Sequence, residues 1–395
     1  MKKIKIFNGL LITPYRNRGL GYVIVENGII TEIGTGDIDV PDCKEIDAKG
    51  SYIAPGFIDI HTHGAGNHDF MDGTIEAFLG AARMHAAHGT TLLYPTTLTS
   101  TNELLYETFN LYKTAKATNK EGSAFGGLHL EGPYFAPEQK GAQDPRYLRN
   151  PKPKEYMEIL DRGDGIIARW SLAPELDGAS AFGRELVKRG IIPAMAHTNA
   201  LYEEVEEAFE NGFRLLVHFY SCMSTITRRN ALRYAGVIES GYGIQEMDIE
   251  IIGDGIHVPK SLLKIIYGIK GAEHIALVTD SMRGAGMPEG RNYILGSLKD
   301  GQEMKVVDGV AKLLDESAFG GSVTTMDRCV RTMYRISETP LTDAVRMATS
   351  TPARIMGVYN KKGSLVKGKD ADIVIFDDNI NIHLTMVNGN VIYKK

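Results

Sequence analysis

His61, His63, Glu131, His197, His218, His257 and Asp280 are the residues whose types and spacing suggest shared chemistry. His61 ends the apolar run Phe57–His61, and His63 completes a His-x-His pair with it. Glu131 ends Phe125–Glu131, His197 ends Ile191–His197 and Asp280 ends His274–Asp280. His218 lies near the end of Phe213–Phe219, and His257 stands just past Asp248–Asp254. The chain holds 11 histidines, and five of them fall at the ends of such runs. Imidazole nitrogen with carboxylate oxygen is a donor set for zinc or iron, with manganese or cobalt as alternatives. A carboxylate buried among histidines is costly unless a cation compensates it. One or two divalent ions per subunit would generate a hydroxide nucleophile and polarise a carbonyl, so the expected reaction is hydrolysis. Asp280 then reads as a ligand and as the base that takes the water proton and returns it to the leaving group.

Taken singly, each residue has an ordinary alternative. A His-x-His pair on a strand is more often structural than metal-binding. Glu131 precedes Gly132-Pro133 and could cap a sharp reversal. His197 could be a hydrogen-bonded loop residue, His218 a satisfied core histidine, and Asp280 the N-cap of a following helix. The joint occurrence carries the reading. His68, His85, His88, His129, His274 and His383 are assigned structural roles, with His129 a candidate support two residues before Glu131.

Those positions require a scaffold that brings many strand ends to one face. Eight apolar runs recur at strand–helix spacing: the six above, with Thr91–Thr97 and Ile166–Ala173 completing the set. Amphipathic helical stretches lie at Thr74–His88, Asn102–Thr118, Tyr202–Asn211 and Lys260–Lys270. Alternation of this kind predicts an α/β fold, a closed (β/α)8 barrel over residues 55–357 whose chemistry sits at the carboxyl ends of its strands. Asn292–Leu314 reads as a β-hairpin insertion, and Ser322–Ser337 and Leu341–Ala348 as closing helices. Both ends of the chain are β-rich. Lys3–Phe7, Tyr22–Glu26 and Ile29–Ile33 are strand-like, with Asn27-Gly28 as a hairpin turn; Ala371–Asp377, His383–Val387 and Asn390–Tyr393 mirror them around Asn388-Gly389. A small β-sandwich built from residues 1–54 and 358–395 would pair edges that otherwise stay open.

Composition narrows the function. A chain of 395 residues, at roughly 150 per domain, allows two or three domains or one barrel with an accessory. Formal charge is 44 − 49 = −5, which offers no basic excess for a nucleic-acid backbone. No apolar run reaches the ~18–20 residues needed to cross a bilayer. The start, Met1-Lys2-Lys3-Ile4-Lys5-Ile6, alternates charge and hydrophobe instead of leading into a secretory core. Cys43, Cys222 and Cys329 are scattered, without disulfide pairing or zinc-knuckle spacing, so a reducing, cytoplasmic setting is expected.

The motifs APGFIDIHTHG (54–64), GLHLEGPYFAPEQKGAQDP (127–145), AHTNA (196–200), IIGDGIHV (251–258), ALVTDSMRGAGMPEG (276–290) and GSLVKGKDADIVIFD (363–377) span most of the chain. With them the sequence resembles the amidohydrolase superfamily, and within it the N-acetylglucosamine-6-phosphate deacetylases. The resemblance implies a metal-dependent barrel with a β-sandwich from both termini, a homodimer, and hydrolysis of the acetamide of a sugar phosphate. It implies that Glu131, His197 and His218 hold one ion, that His61 and His63 hold a second, and that Asp280 is the catalytic acid and base. Asp254, Gly255, Ile256 and His257 match the family's substrate loop; Ala142, Phe319, Gly320 and Gly321 match further sugar contacts. Arg229 matches a phosphate-binding arginine that in the family is associated with a neighbouring subunit's site, and Arg228 stands beside it. Ser221-Cys222 replaces the family's usual Asn-Ala before Met223, a departure on the substrate side.

Two other readings make distinct demands. Cyclic-amide hydrolases of the same superfamily commonly bridge two metals with a carboxylated lysine at the end of strand 4, but no lysine occurs between Glu155 and Val187. A catalytically dead binding scaffold would have lost ligands, and none of the expected ones is missing. A deacetylase for a different N-acetylhexosamine phosphate remains an alternative.

Overall fold

A computed structural model describes residues 3–395; Met1 and Lys2, which open the alternating charged and apolar start, lie outside them. The middle of the chain forms a parallel sheet whose neighbours follow sequence order: Phe57–Thr62, Thr90–Thr97, Leu128–Glu131, Ile167–Leu172, Ile192–Met195, Leu215–Leu216, Asp248–Ile252 and Ile275–Val278. A bridge between Thr62 and Ser281 links the end of the eighth strand to the first, so the sheet closes into the expected barrel. The strands are short, and the sixth has only two paired residues. Gly126-Gly127 splits the expected run Phe125–Glu131, leaving Ala124–Phe125 as a separate short strand.

Alternation along these strands sorts side chains to two faces. Leu128 and Leu130, Trp170 and Leu172, and Ile249 and Ile251 pack in the large apolar core with the surrounding helices. The intervening His129 and Glu131, Arg169 and Ser171, and Glu250 therefore point the other way, into the barrel, because successive strand residues face opposite sides. All five are buried. They share the lumen with apolar residues: Ala194 pairs with Ser171 and Ala276 with Glu250, and both belong to a second apolar cluster.

The expected helices form at Ile75–Ala87, Asn102–Thr118, Tyr202–Glu210 and Lys260–Lys270. Thr74 and Thr101 cap the first two through their hydroxyls, satisfying backbone donors that a helix start leaves open. Helices at Pro153–Arg162, Ala179–Lys188 and Val237–Gly243 were not expected from the sequence.

Two expectations need correction. The insertion is not a hairpin but a four-stranded antiparallel sheet: Asn292–Leu295, Gln302–Val307, Val310–Leu313 and Phe319–Ser322. Its last strand contains Gly320-Gly321, a pair that carries no side chain to pack and so no strand signal. Because Ser322 ends that strand, paired with Val310, the helix expected from Ser322 starts only at Met326, and it passes into a wider turn at Thr332–Ile336.

Both ends of the chain build a second sheet in the order Asn390–Lys394, Ile382–Val387, Ile373–Phe376, Tyr52–Pro55, Lys3–Thr13, Arg16–Glu26 and Ile29–Thr35, with Lys44–Asp47 beside Lys3–Thr13. N- and C-terminal segments meet where Ile53 pairs with Ile375. Asn27 and Gly28 have φ of 49° and 86°, and Asn388 and Gly389 47° and 72°, the left-handed pair a two-residue hairpin turn requires. This sheet has its own core, including Ile4, Ile6, Val23, Ile53, Ile373 and Met386. Among the described residues, no helix is long and apolar enough to cross a membrane.

Candidate active site

At the carboxyl end of the barrel, six side chains converge from strands far apart in sequence. Their ligand atoms form two trios, His61/His63/Asp280 and Glu131/His197/His218, each with all donor atoms within 4.8 Å of one another. All six residues are buried. Glu131 sits between the trios: its Oε1 lies 3.5 Å from His61 Nε2, 3.5 Å from His197 Nε2 and 3.1 Å from His218 Nε2, while its Oε2 lies 3.3 Å from His63 Nε2. Asp280 Oδ1 lies 3.2 Å from His63 Nε2 and 3.5 Å from His61 Nε2.

The backbone aims these groups by an uncommon device. His197, His218 and Asp280 each stand two residues past their strand and have φ of 47°, 37° and 45°. The left-handed region is uncommon for residues with a Cβ, although His and Asp enter it more readily than most. Gly321, at φ +65°, is needed next door: a Cβ there would come within 2.8 Å of the Asp280 carbonyl. Ser322 donates its amide to that same carbonyl at 2.7 Å.

Hydrogen bonds on the far side of each ring decide which nitrogen faces the cavity. His197 Nδ1–H donates to the Gln139 carbonyl at 2.8 Å, leaving Nε2 as a lone pair toward Glu131. His61 Nδ1 lies 3.1 Å from Glu250 Oε2, and its buried Nε2 has no hydrogen-bond partner. Gln143 holds Glu131: its amide nitrogen donates to Oε2 at 2.8 Å while its oxygen accepts from the Thr99 amide at 2.9 Å.

Electrostatics make the same demand for positive charge. Burial opposes ionisation of Glu131, but the His61 ring and hydrogen bonds from His197, His218 and His63 outweigh it and hold the carboxyl well below its usual range. Asp280 is likewise lowered against burial by His61 and His63. Burial also opposes charge on His63, yet Asp280 and Glu131 push its pKa up to about 10. Two ionised carboxylates in a dry site must have cationic partners, and imidazolium protons and divalent ions are the two candidates. The lone-pair geometry, the orphaned His61 nitrogen and the nitrogen–oxygen donor set fit divalent ions.

Above the cluster is a cavity of about 300 Å³ lined by Ala142, Ser221, Cys222, His257, Phe319 and Gly321 from the expected set. Leu98, Gln143, Tyr220, Ile252, Leu295 and Ala318 also line it and were not anticipated. Asp254, Gly255 and Ile256 serve as the mount of His257. Asp254 Oδ1 accepts from the Ile256 and His257 amides at 2.8 and 2.9 Å, and its Oδ2 lies 2.7 Å from His257 Nδ1. That contact leaves His257 Nε2 as the free nitrogen of the ring. Gly320 lies behind the wall, where a Cβ would meet the Met304 sulfur at 2.4 Å.

Arg228 and Arg229 are elsewhere. They lie on an exposed hairpin, Thr227–Arg229 paired with Leu232–Tyr234, and no lysine or arginine lines the cavity of the same chain among the described residues. Four of the remaining histidines have hydrogen-bonding partners, His85 with Thr62, His88 with Asp327, His274 with Asp248 and His383 with Ser51, and the His68 ring packs against Gly80. His129 sits beneath the cluster between Thr96 and Ser171, edge-on to His61. Gln143, Arg169 and Glu250 were missed. The last two had a signal: opposite charges in the middle of buried strand runs.

Known proteins extend this picture. The chain is 30% identical to N-acetylglucosamine-6-phosphate deacetylase of Bacillus subtilis over 94% of its length and 93% of that protein. It is 28% identical to N-acetylgalactosamine-6-phosphate deacetylase of Escherichia coli O157:H7 over 93% of each chain. The structure of a Mycobacterium smegmatis N-acetyl-D-glucosamine-6-phosphate deacetylase mutant, in complex with N-acetyl-D-glucosamine-6-phosphate, superposes with a TM-score of 0.91, covers all of both chains and shares 28% identity. The model of the Amidohydrolase family matches residues 52–392, and with the two ligand trios at the strand ends of a parallel barrel, this chain belongs to that family.

Proposed function

We propose that the protein hydrolyses the acetamide of N-acetylglucosamine 6-phosphate, giving acetate and glucosamine 6-phosphate, as an enzyme of amino-sugar breakdown. The observation that carries this reading is the six-residue cluster at the floor of a cavity large enough for a small ligand, with His257 and Asp280 facing the same space. It is supported by the full-length likeness to deacetylases that act on this substrate by name.

His61, His63 and Asp280 would hold one divalent ion and Glu131, His197 and His218 another, with zinc or iron as the first choice and manganese or cobalt as alternatives. Bound there, the ions would polarise the acetamide carbonyl and lower the pKa of water. Asp280 takes one proton from the attacking water at its carboxylate oxygen and delivers it to the amide nitrogen as the carbon–nitrogen bond breaks. His257, fixed by Asp254, presents Nε2 to the substrate and orients it. Ala142, Ser221, Cys222, Phe319 and Gly321 shape the sugar pocket, and Gly320 and Ile256 keep its walls in place.

Because no cation among the described residues lines the cavity, the phosphate would be read by Arg229, with Arg228 beside it, from a second copy of the chain. The exposed hairpin also carries Ile226 and Leu232, which are 58% and 62% exposed and suit a contact between copies. The working form is then a homodimer, in the cytoplasm, with a sugar phosphate as its partner. Free-amine release from a panel of phosphorylated and unphosphorylated N-acetylglucosamine and N-acetylgalactosamine tests the assignment. Turnover of N-acetylglucosamine 6-phosphate well above every other sugar supports it, and a preference for an unphosphorylated sugar or the galactosamine epimer refutes it.

A further inference from the structure

We infer that Glu250, anchored by Arg169, is a positioning residue that keeps His61 able to accept a divalent ion. The inference rests on the two-ion reading above. Glu250 comes from the seventh barrel strand and Arg169 from the fourth, and both are 0% exposed. One Glu250 oxygen pairs with Arg169 Nη1, and the other lies 3.1 Å from His61 Nδ1. The same guanidinium nitrogen donates to the Ile60 carbonyl at 3.2 Å, tying the pair to the strand that carries His61.

His61 has a choice of tautomer that the cluster would otherwise resolve the wrong way. A proton on Nε2 would point at Glu131 Oε1 and Asp280 Oδ1, each 3.5 Å away, and would satisfy both carboxylates without an ion. A carboxylate on the opposite side draws the proton to Nδ1 and leaves the Nε2 lone pair facing the cluster. No other ligand has such a support among the described residues. His197 uses a main-chain carbonyl, and His63 Nδ1 and His218 Nδ1 have no hydrogen-bond partner. Arg169 is donor-only, so it fixes Glu250 in turn. Without it, a lone carboxylate would be stranded in the lumen.

Glu250→Gln isolates the effect. Its amide has one acceptor and one donor face, and Arg169 claims the acceptor. The amide NH2 then faces His61 Nδ1, which must become the acceptor, and the ring proton moves to Nε2. Wild-type protein, E250Q and R169M/E250Q are dialysed against graded free zinc and their metal content is measured. Wild type is expected to hold two ions per chain. E250Q should keep the ion held by Glu131, His197 and His218 at unchanged affinity and bind the other about 10- to 100-fold more weakly. In R169M/E250Q the amide oxygen is released from Arg169, can turn back to His61, and should restore most of the second affinity.

If E250Q fails to fold, R169M/E250Q against R169M/E250L serves instead, since only the former offers His61 an acceptor; equal second-ion affinity in these two overturns the inference. So does an E250Q protein that binds both ions as wild type does, even if it melts earlier, because that is the signature of a purely structural pair. One ion in fully loaded wild type is a different failure. It removes the two-ion reading, and this inference with it.

Discussion

Replacing Arg229 by alanine separates recognition of the phosphate from hydrolysis of the acetamide. The cavity around the metal cluster has no lysine or arginine lining among the described residues, so a dianionic group there lacks a fixed cation from its own chain. An arginine fork offers two parallel charge-assisted hydrogen bonds, each kind worth about 1.5–3 kcal/mol. Alanine removes both; even one such bond, at about 1.36 kcal/mol per decade, is worth roughly 10- to 160-fold in kcat/KM for the phosphorylated sugar, so the loss should be at least of that size. Within its own chain Arg229 makes little that could confuse the result. It lies 5.7 Å from the Tyr234 ring across the hairpin, an exposed contact of about 0.5–1 kcal/mol. The assay compares amine release from N-acetylglucosamine with and without the 6-phosphate. R229A should depress only the phosphorylated substrate, and R229K should fall between, because lysine keeps the charge and loses the fork. Mixing R229A with H197N chains should restore a wild-type site, with Arg229 of one copy serving the intact cluster of the other. Equal losses on both sugars, or no recovery in mixed dimers, would refute the assignment.

Asp280→Asn should lower kcat by at least about 100-fold, the low end for a proton carrier in the transition state, while calorimetry still detects substrate binding; retention of a tenth of the activity would remove Asp280 from the role. His197→Asn should abolish activity and cost the Glu131/His197/His218 ion, whereas His61→Asn should cost only the other ion, as elemental analysis of each variant would reveal. Stability without metal should depend on pH in a defined direction. His63 has its folded pKa raised to about 10 from the ordinary 6.5, so its contribution is complete below about pH 6.5 and is lost as pH rises toward 10. Chelator-treated protein should therefore melt progressively earlier across that window, and metal-loaded protein, whose His63 carries no such proton, should not. Parallel melting curves for the two forms would contradict the picture of protons and ions competing for the same nitrogens.

The six-residue cluster was legible because strand ends are where a barrel concentrates chemistry, and because His, Glu and Asp are conspicuous there. Supporting residues were less so. Gln143 follows Glu131 by twelve positions through a loop with no period, and nothing in its type distinguishes it from a surface glutamine. Arg169 and Glu250 were visible as charges inside apolar strands, but a single strand cannot say which charge it faces across a barrel. Phe319–Ser322 was hidden by its glycines, which fit against Met304 and Asp280 because they have no Cβ. Arg229 shows a further limit. Counting residues beyond His218 places it on the ligand-binding side of the barrel, yet the hairpin carries it to the surface, away from the cavity lining of its own chain.

His197, His218 and Asp280 explain why the cluster can be both strained and rigid. Left-handed backbone at residues with a Cβ costs of order 1–3 kcal/mol each, so the three together represent a sizeable share of the about 5–15 kcal/mol by which proteins are stable. Such conformations persist only where the surroundings over-determine them. Here Ala136 donates to the His197 carbonyl at 3.0 Å, Ser221 to that of His218 at 2.9 Å and Ser322 to that of Asp280 at 2.7 Å, while the Asp280 amide donates to the His61 carbonyl at 2.8 Å. The last bond couples the two ends of the barrel sheet through two of the ligands themselves. Ligands fixed in this way lose little freedom when a cation binds, and the repulsion between Glu131 and Asp280 that folding has built up is relieved at the same moment. The same fixed geometry leaves Asp280 facing the cavity with its carboxylate already in place for the proton transfer proposed for it.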